Sequence, residues 1–123
     1  MLTWPTSVRV FVYRRPTDLR RSFDRLAAMV QEVLHEDPFS GHLFVFVNRA
    51  ADRVKVLLWD RSGFWLLYKR LEQGRFRLPE GNGEVLAIDP VKLSLILEGI
   101  DLAGARQQKR YHRPNRDLLL AEK

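Results

Sequence analysis

The sequence predicts an α+β domain: a mostly antiparallel sheet built on a central three- to four-stranded meander, two helices, and a basic C-terminal tail. Three observations predict it. Between Gly41 and Phe76 stand three short apolar runs, Leu43–Val47, Val54–Trp59 and Phe64–Tyr68, rich in Val, Phe, Leu, Trp and Tyr. The gaps between them, Arg49-Ala50-Ala51-Asp52 and Asp60-Arg61-Ser62-Gly63, are too short for a parallel crossover, so consecutive runs pair antiparallel. An amphipathic stripe at helical spacing precedes the meander and a weaker one follows it.

In chain order, Ser7 to Tyr13 alternates as a strand, with Val8, Val10 and Val12 on one face. Arg14-Arg15-Pro16 closes it, because proline has no N–H for a ladder. Thr17 is the expected N-cap of a first helix over Asp18 to His35, with Asp18 in the turn where the helix dipole favours an anion. Leu19, Phe23, Leu26, Ala27, Val30, Val33 and Leu34 form its apolar stripe. Asp37-Pro38-Phe39-Ser40-Gly41 turns the chain into the meander. After it, Leu71-Glu72-Gln73-Gly74 reads as a turn and Arg75 to Leu78 as a short further strand. Pro79 to Gly83 is a loop, and Glu84 to Ile88 a weak strand. Asp89-Pro90 opens a second helix with Asp as N-cap and Pro at its first position. Leu93, Ile96, Leu97 and Ile100 are its buried stripe, and Gly99 ends it. The expected order is β-α-β-β-β-β-β-α, with residues 1–105 a single domain and residues 106–123 a flexible tail.

The 123 residues suit one domain, and no apolar run is long enough to cross a membrane as a helix. No secretory signal is visible at the start. Cysteine is absent, which excludes disulfides, thiolate catalysis and cysteine-based zinc sites and fits a cytoplasmic location. The net charge of +6 is uneven: 15 Lys+Arg face 13 Asp+Glu up to residue 105, and 6 face 2 from Arg106 onward. Of the basic residues 16 are Arg, whose planar fork suits phosphate and carboxylate; the alternative is a high-GC genome, which enriches Arg codons.

Several motifs together resemble a known family. They are Pro16-Thr17-Asp18-Leu19-Arg20 with Phe23-Asp24 and Leu26; Asp37-Pro38-Phe39-Ser40-Gly41-His42-Leu43-Phe44-Val45-Phe46; Asp52-Arg53-Val54-Lys55-Val56-Leu57 with Trp59-Asp60; Gly63-Phe64-Trp65-Leu66; Tyr68-Lys69-Arg70-Leu71-Glu72 with Gly74-Arg75-Phe76; and Leu97-Glu98-Gly99-Ile100-Asp101. In this order and spacing the chain, from residue 8 to about residue 101, is similar to the Orf2-like accessory protein TnpB of insertion sequences in the group numbered sixty-six. That family is distinct from the much larger RNA-guided nuclease sharing the name. The resemblance implies a bacterial mobile-element protein encoded beside a transposase and assisting transposition. It supplies no active-site residues. The resemblance implies small or glycine-like residues in many relatives where Arg25 and Arg61 stand here, and a frequent turn glycine where Ala51 stands.

The candidate contacts to DNA phosphate are the basic clusters. Arg14, Arg15, Arg20 and Arg21 surround the start of the first helix, whose amide-rich end attracts phosphate. The alternative is a solvated face paired with Asp18 and Asp24. Lys69, Arg70, Arg75 and Arg77 straddle the turn at Glu72 to Gly74 as a second strip. Arg106, Lys109, Arg110, Arg113 and Arg116, interleaved with Tyr111 and His112, suit a nucleic-acid backbone, against the alternative of a solubilising tail. No helix-turn-helix or cysteine zinc finger points to sequence-specific reading.

Trp59, Trp65 and Tyr68 are either core or, if the two helices cover only one sheet face, an exposed patch for a homodimer or a transposase. Asp52 and Asp60 flank one strand with Lys55 between them, a pattern compatible with Mg²⁺ but equally with turn aspartates. His35, His42 and His112 lack metal-ligand spacing, and Ser22, Ser40 and Ser62 sit in no nucleophile motif. The expectation is a non-enzymatic accessory protein of transposition with no cofactor and no metal. Its partners are the transposase of the same element and DNA bound without sequence preference. The rival readings are a protein-interaction module without DNA contact and a small metal-dependent nuclease.

Overall fold

The computed structural model describes residues 4–5, 7–101 and 106–107 of the chain. Its main sheet has five strands in the order β4-β3-β2-β1-β5: β1 Val10–Tyr13, β2 Leu43–Val47, β3 Arg53–Asp60, β4 Gly63–Arg70 and β5 Val85–Ile88. Helix α1, Phe23–Glu32, lies between β1 and β2, and α2, Pro90–Leu97, follows β5. The meander forms as its short gaps require. β2 pairs β3 with Phe44 opposite Leu57, and β3 pairs β4 from Arg53 opposite Arg70 to Asp60 opposite Gly63.

β1 lies beside β2 in parallel, Val10 opposite Leu43, and on its other side pairs β5 antiparallel. The parallel pair is possible because α1 supplies the long crossover that such a pair needs. The sheet is mostly antiparallel and the fold α+β. Arg75 to Leu78 adds no strand. The Phe76 amide instead donates to the Ala51 carbonyl, and its ring is buried under the sheet. Beyond α2 the backbone of Ile100–Asp101 (β6) pairs with that of Arg106–Gln107 (β7), and the remainder of the expected tail lies outside the described residues.

The helices cover opposite faces of the sheet, not one. Leu26 and Val30 of α1, with Leu19 and Leu34 beside it, pack on Phe11, Tyr13, Phe44, Phe46 and Leu57. Leu93 and Ile96 of α2, with Phe76, pack on Val10, Val12, Leu43, Val45, Val54 and Val56. Strand alternation sends odd and even residues of each strand to different layers, which is why β2 is buried on both sides. The alternative in which both helices cover one face and leave the other bare is therefore not the one adopted: an apolar sheet needs two covers, and the chain supplies both.

The first helix starts later than expected. The Thr17 amide donates to the Val47 carbonyl at the sheet end, and the Asp18 carboxylate accepts from the Arg20 amide. These bonds fix residues 17 to 21 as a turn, and Ser22 in extended conformation becomes the N-cap. Phe23 and Val33, expected in the buried stripe, are exposed at its margins. The second helix opens as expected: the Asp89 carboxylate accepts from the Lys92 amide, Pro90 is its first residue, and Gly99 turns the chain at φ +79°.

Candidate nucleic-acid interface

The β2–β3 connection is a rigid presenter of side chains. The Asn48 amide oxygen accepts from the backbone amides of Asp52 and Arg53, and its NH₂ donates to the Asp52 carboxylate at 2.7 Å. Ala51 completes the turn at φ +59°. Held this way, the exposed Arg49 stands at the sheet end beside the turn formed by residues 16 to 20. On β3, Arg53 and Lys55 alternate onto the α1 side of the sheet, and the register places Tyr68 of β4 opposite Lys55. Together these elements wall an open groove of about 740 Å³, lined by Arg20, Arg49, Arg53, Lys55, Tyr68, Asp18 and neighbouring turn residues.

Lys55 is the unusual group. Its side chain is buried, 8% exposed, on the sheet face whose core is made of aromatic and aliphatic residues. Its Nζ donates to the Arg21 carbonyl at 2.8 Å and lies 4.9 Å from the centre of the Tyr68 ring. A buried charge is costly unless paired, and here its partners are a carbonyl dipole and a π face rather than a carboxylate. Arg53 Nη1 reaches the Tyr68 hydroxyl at 3.4 Å. Asp18 is the sole carboxylate among the lining residues, and it is committed to Arg20, whose Nη2 donates to it at 2.7 Å. Bonds from the Arg20 side chain first, then from its backbone amide, hold the Asp18 carboxyl down to about 2. The groove therefore keeps a net excess of cations at neutral pH.

The residues expected at the interface are scattered. Arg14 donates to the carbonyls of Gly81 and Gly83, tying the end of β1 to the loop before β5, and Arg15 pairs with Glu84 at 3.1 Å. Arg20 lies in the groove but is held by Asp18, and the Arg21 guanidinium turns to the Met29 sulfur. Lys69 crosses the other face to donate to the Leu97 carbonyl at 2.7 Å. Arg70 pairs with Glu72 at 2.7 Å, and its bond to that carboxylate raises its pKa. Arg75 and Arg77 are exposed beyond the end of β4. Of the tail residues, the backbone of Arg106 lies in β7; Lys109, Arg110, Arg113 and Arg116 lie outside the described residues.

Trp59, Trp65 and Tyr68 do not form one patch either. Trp59 belongs to an aromatic cluster with Phe39 and Phe64, ring centres 5.0 Å from each. Trp65, 59% exposed, faces the other side, its indole N–H 3.3 Å from the Asp60 carboxylate. Tyr68 is in the groove wall. Asp52, in the turn just before β3, and Asp60, at its far end, are eight residues apart, roughly 26 Å by strand rise, so they do not bracket one ion. Among the described residues no three His, Asp or Glu side chains gather as a metal site, and no helix is long and apolar enough to cross a membrane.

Arg49 and Arg53 line the groove but were not among the candidates read from the sequence, and Lys55 was considered there only beside the two aspartates. The signal was present in the register: a hairpin turning at Asp60–Gly63 puts Lys55 opposite Tyr68 and Arg53 opposite Arg70.

Among known proteins, the family described as IS66 Orf2 like protein matches residues 8–107. The uncharacterized protein y4hO of Sinorhizobium fredii (strain NBRC 101917 / NGR234) is 45% identical over 101 residues, which are 82% of this chain and 88% of that protein. The uncharacterized protein y4jC of the same organism is 35% identical over 101 residues, 82% of this chain and 86% of that protein. No solved structure matches the chain. With the family spanning all of the main sheet and both helices, the chain belongs to the IS66 Orf2-like family, which ties it to insertion-sequence transposition as an accessory protein.

Proposed function

We propose that this protein is a non-enzymatic accessory factor that acts with the transposase of its own element and contacts DNA phosphates through Arg-rich surfaces. The observation that carries the DNA contact is the cationic groove. Arg49, Arg53 and Lys55 converge there, and the one lining carboxylate is already neutralised by Arg20. Guanidinium groups so placed attract phosphate and add an affinity that is independent of sequence. Arg75, Arg77 and the basic stretch from Arg106 to Arg116 extend the same character along the chain.

Docking on the transposase falls to β4 in this reading. It is an eight-residue edge strand with Trp65 exposed on one side, and an open edge is a template for another chain. The test is co-purification of the protein with that transposase, with and without element-end DNA, and incubation of the DNA with each mixture in Mg²⁺. The expected result is retention of the transposase and no cleavage by this protein alone. Cleavage by the purified protein, abolished in Asp52→Ala or Asp60→Ala, would establish the nuclease instead.

A further inference from the structure

We infer that the groove between the β2–β3 turn, the turn at residues 16 to 20 and the β3–β4 surface is a receptor for an unpaired stretch of nucleic acid. Arg49 and Arg53 hold its phosphates, Lys55 draws one of them to the groove floor, and Tyr68 stacks on a base. The inference rests on the proposed DNA contact and makes it specific: it names the strand state recognised and the side chains that recognise it.

Three features select this occupant. The first is depth. Lys55 is 8% exposed yet lines the groove, so an anion must enter the groove to meet it. An unpaired strand can lay a phosphate and a splayed base together into a groove of about 740 Å³, whereas a duplex keeps its bases stacked inside and offers the groove phosphates alone. The second is the unbalanced charge. The Lys55 ammonium has three N–H groups, one of which goes to the Arg21 carbonyl, and no carboxylate is bonded to it. An incoming phosphate supplies the anion that the fold does not. The third is the ring. Tyr68 is 54% exposed on the same wall, with Arg53 at its hydroxyl and Lys55 over its face. Aromatic side chains set among cations are how single strands are held without regard to sequence. An acidic peptide would satisfy the guanidiniums but would leave the exposed ring without a role.

The groove is also built to persist in the free protein. Asn48 fixes the turn bearing Arg49 with three hydrogen bonds, and Lys55 ties β3 to the residue before the N-cap of α1. A preformed turn and a tethered Lys55 leave less to order when an anion binds.

The experiment is fluorescence anisotropy with the whole chain, using labelled oligothymidine, the same length of duplex, and an oligoglutamate peptide as probes. Variants are Arg49→Ala/Arg53→Ala, Tyr68→Leu and Tyr68→Phe, each checked by thermal melting. The expected result is a preference for oligothymidine over duplex. Removing both arginines flattens the salt slope by about 1.4, two contacts at roughly 0.7 each for a single strand. Tyr68→Leu weakens binding at least about fivefold and Tyr68→Phe restores it, because stacking needs the ring and not the hydroxyl. Duplex and single strand bound alike, with none of the variants altering either, would overturn the groove and leave the wider DNA contact standing. Binding of neither DNA would remove both. Oligoglutamate binding as tightly as oligothymidine, lost in the arginine variant and indifferent to Tyr68→Leu, would assign the groove to an acidic protein segment and overturn the inference.

Discussion

The Asp18 carboxylate shows how a residue placed by sequence can take another role in the structure. As a first-turn acid it was expected to face a helix dipole; instead it closes a turn and binds the side chain and amide of Arg20. Its pKa falls from the ordinary 3.8 to about 2. The folded value lies below the unfolded one, so the contribution of this pair is present above about pH 4 and is lost as the pH falls through 2. Both side chains are exposed, so the effect on overall stability is small. A carbon-detected NMR titration should place the Asp18 midpoint near 2, and Arg20→Ala should return it part of the way toward 3.8 while the backbone amide bond remains. A midpoint unchanged by Arg20→Ala would show that the ion pair does not form in solution. Two other residues, Ala51 and Arg61, carry φ of +59° and +46°. Left-handed backbone of this kind is where glycine has no side-chain penalty, which accounts for the glycine-like residues expected there in relatives. Neither position needed a function to explain it.

Among the elements, the meander was legible because apolar runs and short gaps leave one pairing pattern. The first helix was legible in type but not in extent. Its apolar spacing runs on through Leu19 and Leu34, which are buried without being helical, since side-chain burial does not require the helix that the spacing suggests. The parallel partnership of β1 with β2 and the separation of the helices onto two faces are long-range choices that local pattern does not encode. The candidate site follows the same division. Arg-rich clusters are visible in the sequence, and so is Glu72 two residues from Arg70, but the pairing of Arg15 with Glu84 is set by the fold. Leu26 is the test of α1 packing: it is fully buried against Phe44, Phe46 and Leu57. Leu26→Ala should cost about 2–5 kcal/mol in denaturant unfolding, and Leu26→Asp should abolish the cooperative transition, because it buries an unpaired charge. Wild-type melting of Leu26→Asp would contradict the placement of this helix.

For the whole molecule, the net charge of +6 combines with a fold that pairs Arg15, Arg20 and Arg70 with carboxylates. The central claim is that the remaining cations hold DNA by its phosphates. The most direct measurement is the dissociation constant of the full-length protein for element-end DNA at several salt concentrations. Phosphate contact releases condensed counterions, so the logarithm of affinity should fall linearly with the logarithm of salt, with a slope of about −0.9 per contact on duplex. Removing residues 108–123 should reduce that slope, and an unrelated DNA of equal length should give nearly the same line. An affinity that does not change with salt, or no binding even at low salt, would contradict the claim and leave a protein-interaction module in its place.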